Sequence, residues 1–97
     1  MELKTNLGTW DVYVDTGYYS NGRLAVSLLE TDTHEPVMVA TVNLPDADLA
    51  EDEVAIKNWS ENEGVLRFLI ANDLVHPPHR KISTGFVQAE ICKWTGI

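Results

Sequence analysis

The chain has 97 residues and a mass of 10.8 kDa, with seven Lys and Arg against fifteen Asp and Glu. A formal charge of −8 and a pI of about 4.6 argue against direct binding to DNA or RNA, which needs a basic patch to neutralise phosphates. The 44% apolar content argues against disorder, and the length fits one domain, expected over residues 1–97.

No apolar run approaches the roughly 20 residues that cross a bilayer, and the opening segment MELKTNLGTW lacks the apolar stretch of a signal peptide. Cys92 is the single cysteine, so no intrachain disulfide can form. A cytoplasmic protein without membrane contact is expected.

Thr9–Val14 sets Trp10, Val12 and Val14 against Thr9, Asp11 and Tyr13, the period of a half-buried strand. The following stretch, Asp15–Gly22, reads as a turn, with Asn21-Gly22 suited to type I′ geometry. A second strand spans Arg23–Thr31, with Leu24, Val26 and Leu28 on one face. Asp32–Pro36 turns the chain into a third strand, Val37–Leu44. Short turns between such strands predict an antiparallel meander.

Residues 45–53 (PDADLAEDE) break the alternation with a proline and five carboxylates. Val54–Trp59 follows as a short strand or an extended approach to a helix. Ser60-Glu61-Asn62-Glu63 fits a capping box, which predicts a helix from Glu61 to about Leu74. Its buried stripe is read as Leu66, Leu69, Ile70 and Leu74 with Val65 beside them. Pro77-Pro78 forbid continuation, and Ile82–Gly85 lead into a last strand, Phe86–Trp94. There Val87, Ala89 and Ile91 are assigned to the core, with Phe86 and Cys92 on the opposite face. The expected fold is α+β: an antiparallel sheet, meander plus C-terminal strand, packed against one helix in the order β-β-β-(β)-α-β.

Motifs for chemistry are absent from this reading. His76-Pro-Pro-His79 lacks further ligands at zinc spacing, so it reads as a solvated loop with no metal. Cys92 lies within an alternating strand, where a thiol is a small apolar filler, and Ser20 and Ser83 lack a nucleophile elbow. The glycines are too far apart to cradle a phosphate. No catalytic residue and no cofactor is assigned.

Two features remain. Asp46, Asp48, Glu51, Asp52, Glu53, Glu61 and Glu63 are opposed within their segment only by Lys57. Such a run either keeps the protein soluble or docks on a basic surface of a partner. Tyr18 and Tyr19, in a Gly- and Asn-bounded stretch, are candidates for apolar anchoring of that partner or for capping the sheet.

Asn43-Leu44-Pro45, Glu53-Val54, Lys57-Asn58-Trp59, Ser60-Glu61-Asn62-Glu63-Gly64 and Gly85-Phe86-Val87 together resemble an uncharacterised family of small bacterial proteins found in prophages and other mobile elements. The resemblance covers roughly residues 40–92 and carries no catalytic residue. It implies an anti-defence context, in which small acidic phage proteins block host complexes as anti-CRISPR proteins do. The resulting expectation is a non-enzymatic inhibitor or adaptor, acting as a nucleic-acid mimic against a basic, nucleic-acid-binding effector. A homo-oligomeric accessory protein, a homodimer built by sheet extension from an open edge, is the alternative. A small enzyme ranks third.

Overall fold

Leu3 is the only apolar residue of Glu2–Thr5, yet its side chain is fully buried and seats a first strand, β1. The computed structural model describes residues 1–95. β1 pairs antiparallel with β2 (Gly8–Tyr18), setting Leu3 opposite Trp10. β2 pairs with β3 (Leu24–Glu30), and β3 with β4 (Pro36–Val39), giving a four-stranded meander in the order β1-β2-β3-β4.

The strand expected over 9–14 therefore runs on to Tyr18, because Asp15–Tyr18 find ladder partners in Leu24–Ser27. The turn is correspondingly shorter. Tyr19 N–H donates to Arg23 O at 2.8 Å and Gly22 N–H to Tyr19 O at 2.9 Å. Only Gly22 of the Asn21-Gly22 pair has a positive φ, at 84°, so type I′ geometry does not form and a three-residue loop, residues 20–22, closes the hairpin.

The strand expected over Val37–Leu44 is divided between two sheets. Ala40 N–H still donates to Val26 O in β3, whereas Ala40 O accepts from Lys57 N–H and Val42 N–H donates to Ala55 O. Residues 40–42 thus join the meander to a second sheet, made of β5 (Glu53–Ile56), β6 (Arg80–Thr84) and β7 (Val87–Lys93) in the order β5-β7-β6. Between β6 and β7 the chain turns at Gly85-Phe86, where Gly85 adopts φ 68° and Phe86 is fully exposed. Phe86 is hence a turn residue, not the first residue of the last strand.

The capping box does not form. Ser60–Asn62 makes one 3-10 turn, in which Ser60 has φ 55° and no side chain caps the start. The α-helix, α1, is Val65–Ala71, and the break before it is Gly64 at φ 107°. Asn58 takes the capping role instead: its Oδ1 accepts from Gly64 N–H at 3.2 Å and Leu66 N–H at 3.0 Å. The late start also turns the buried face. Val65, Phe68 and Leu69 are buried, while Leu66 and Ile70 are only half-buried. A Cβ on Gly64 would lie 2.6 Å from Lys4 O, so the helix start rests directly on β1.

The main core fills the space between the two sheets and α1, with Leu3, Val12, Val26, Leu28, Phe68 and Leu69 among its members. β5 is buried on both faces, which explains why EVAI does not alternate. Val54 and Ile56 join the main core together with Cys92, whereas Ala55, Ala89 and Ile91 form a second cluster under Val42, Leu44, Leu49, Trp59 and Ile82. Burial pushes the Cys92 thiol up to about 11, consistent with an apolar filler and no nucleophile. Among the described residues no helix is long and apolar enough to cross a membrane.

Candidate protein-binding cleft and acidic loop

Along β2 the inward-facing residues are Val12, Val14, Thr16 and Tyr18. Val12 is 1% exposed and Val14 half-buried, but Thr16 is exposed and Tyr18 is 75% exposed. Thr16 and Tyr18 border a cleft of about 570 Å³. Leu49 and Glu51 line it from the loop before β5, Trp94 from just past the end of β7, and Arg23 and Leu24 from the hairpin.

The acidic loop between Leu44 and β5 is held by its backbone. Arg23 Nη2 donates to Ala47 O, and Arg80 Nη2 donates to Asp48 O at 2.6 Å. Trp94 N–H donates to Asp52 O at 2.7 Å, and the Glu53 carboxylate accepts from Ala50 N–H at 2.9 Å. Leu49 anchors the loop from within by packing on the second cluster. Asp46, Asp48 and Glu51 are exposed, and among the described residues their carboxylates have neither a hydrogen bond nor an ion pair. Both guanidiniums thus bind carbonyls of this loop, while its three free carboxylates face water.

The remaining acidic candidates are engaged. Glu53 receives Arg80 Nη2 at 2.8 Å and His79 Nε2 at 2.5 Å. The Arg80 guanidinium, followed by the Ala50 N–H, holds the Glu53 carboxyl down to about 2. Asp52 pairs with Lys93 at 3.4 Å. Glu61 pairs with Lys57 at 2.7 Å, and that contact lowers its carboxyl from the ordinary range. Glu63 accepts weakly from Asn6 Nδ2 at 3.5 Å. Tyr19 caps the sheet: its hydroxyl lies 3.0 Å from Thr41 Oγ1 and donates to Thr41 O at 3.3 Å.

The fold therefore distributes the sequence candidates over separate places. Tyr18, Glu51 and Glu53 meet at the cleft beneath the hairpin. Tyr19 and Glu61 line a second depression, with Lys57 and Asn62. Glu63 lies on a groove of about 800 Å³ along α1, with Lys4, Leu66, Arg67 and Ile70. Asp46, Asp48 and Asp52 border none of these three hollows. Among the described residues no three His, Cys, Asp or Glu side chains converge as metal ligands would.

Sequence reasoning missed Arg23, Arg80, Leu49 and Trp94. For Arg23, Arg80 and Trp94 the roles depend on contacts with residues 24–42 positions away in the chain, such as Arg23 with Ala47 and Trp94 with Asp52, for which no local pattern exists. Tyr18 did carry a signal. The alternation Val12, Val14, Thr16, Tyr18 continues one strand face past the expected end.

No protein-family model matches the chain, and neither a curated protein nor a solved structure matches it significantly.

Proposed function

We propose that this chain is a non-enzymatic, protein-binding inhibitor or adaptor of phage or mobile-element type, directed against a host defence effector such as a CRISPR complex. In this reading Asp46, Asp48 and Glu51 cover a basic surface on the effector that otherwise holds nucleic acid, and Tyr18 adds apolar contact.

One observation supports this most. A loop that only solubilises needs no fixed backbone, whereas Arg23 and Arg80 both hold carbonyls of this loop, and Asp46, Asp48 and Glu51 stay unpaired. Charges fixed before binding lose less conformational freedom on association and present a constant pattern to an oppositely charged partner. The arrangement resembles a template of anionic groups more than a mobile acidic tail. The net charge of −8 adds long-range steering toward a cationic target.

The test is capture of purified RNA-guided nuclease complexes on the immobilised chain, with association rates followed against ionic strength. At least one complex should be retained, and its own target DNA should displace the chain. Changing Asp46, Asp48 and Glu51 together to Asn, Asn and Gln should slow association about tenfold at low salt and flatten its salt dependence. Equal rates and equal salt slopes for the two proteins would remove this reading.

A further inference from the structure

We propose that the cleft between Tyr18 and Trp94 receives the ammonium or guanidinium group of a Lys or Arg side chain presented by a protein partner. The inference deepens the reading above and rests on it for the kind of partner, though not for the chemistry of the cleft.

Tyr18 contributes an aromatic ring that is 75% exposed although it lies on the inward face of its strand. Trp94 lines the same space from just past the end of β7, half-buried. The two rings are not stacked on one another, since Tyr13 and His34 form the one aromatic pair among the described residues. Both border the same cleft of about 570 Å³, and a ring face attracts a cation within about 6 Å of its centre. The exposed, unpaired carboxylate of Glu51 borders the same cleft and supplies the counter-charge.

The other charged groups at the cleft are Glu53, which is paired, and Arg23, whose Nη1 is buried without a hydrogen-bond partner among the described residues. Glu53 binds Arg80, His79 and the Ala50 N–H. Arg23 gives Nη2 to the Ala47 carbonyl, and its Nη1 is closed to solvent. An anionic occupant would meet the Glu51 carboxylate and could not reach the Arg23 Nη1, which is closed to solvent. A cationic one meets Glu51, two aromatic surfaces and the aliphatic side chains of Leu24 and Leu49. Long basic side chains suit such a lining, because their methylene stems pack on apolar surface while the charged end stays polar.

The probes are N-acetyl-arginine amide and N-acetyl-lysine amide, with N-acetyl-glutamine amide as the neutral control, titrated into the 15N-labelled chain. Both cationic probes should give saturable shifts at Gly17, Tyr18, Leu24, Glu51 and the Trp94 indole, and the control should not. Tyr18→Ala should weaken binding about two- to fivefold, and Tyr18→Phe, which keeps the ring, should retain it. Glu51→Gln should weaken it by a similar factor. Absence of saturable shifts at the cleft, equal shifts with the neutral probe, or unchanged affinity in Tyr18→Ala would overturn the proposal. The two readings fail separately. Cation binding without capture of any effector would leave the cleft standing and remove the acidic-platform reading. Capture that ignores Tyr18→Ala, with no probe binding, would do the reverse.

Discussion

Asn58 Oδ1 accepts the backbone N–H of Leu66 at 3.0 Å, so the helix is capped by a side chain eight residues upstream of the amide it serves. The same oxygen also accepts from Gly64 N–H, satisfying two donors that the helix start leaves free. Removing this acceptor should act like loss of an N-cap. Asn58→Ala is expected to lower stability by about 1 kcal/mol, and Ser60→Ala by less than about 0.5 kcal/mol. Urea unfolding midpoints of the two variants decide the matter. A larger loss at Ser60 would restore the capping box suggested by the sequence.

Gly64 serves the same junction through its backbone. Its φ of 107° is strained for any L side chain, and an added Cβ would sit 2.6 Å from Lys4 O. That neighbour is backbone within a paired strand and cannot step aside cheaply. Gly64→Ala should cost about 2–4 kcal/mol, combining backbone strain with overpacking. A thermal midpoint equal to wild type would mean that α1 does not rest on β1.

The turned helix face is testable by a contrast within one turn. Leu69 is 0% exposed in the main core, whereas Leu66 is half-buried and borders the groove along α1. Leu69→Ala should cost about 2–5 kcal/mol. Leu66→Ala should cost about 1 kcal/mol, the share expected of a partly covered leucine. The opposite order in chemical denaturation would return the face to Leu66 and Ile70.

Glu53 gives the fold an acid-dependent element. Its carboxyl lies at about 2 in the folded chain against an ordinary 4.5, through Arg80 first and then the Ala50 N–H. A folded-state value below the unfolded one means stability that is full above about 4.5 and lost as pH falls toward about 2. Glu53→Gln should therefore lower stability at neutral pH by about 1–2 kcal/mol, a figure reduced for the partial exposure of its partners. The variant should also show a flatter decline of unfolding midpoint across the window from pH 4.5 to 2 than wild type. An identical acid profile would show that the contact with Arg80 and His79 does not persist in solution.

Period-two alternation alone was enough to find the middle strands, because Val26 and Leu28, like Met38 and Ala40, fall two residues apart and so share one buried face. Charge arithmetic likewise located the acidic segment, and a strand setting for Cys92 identified it as filler. These properties are local or additive, so a chain read residue by residue contains them. β1 was invisible because one leucine in four residues makes no pattern until β2 lies beside it. The helix start moved for a related reason. Ser60 has the right neighbours for a cap, but Gly64 resting on Lys4 and the reach of Asn58 to Leu66 outweigh the local preference. At the candidate site, sequence supplied the carboxylates and Tyr18. Tertiary structure decided which of them are free, since it brought Arg80 to Glu53, Lys93 to Asp52 and the Tyr19 hydroxyl to Thr41. Pairing across tens of residues is set by how the two sheets meet at residues 40–42, and that meeting is a property of the assembled core rather than of any segment.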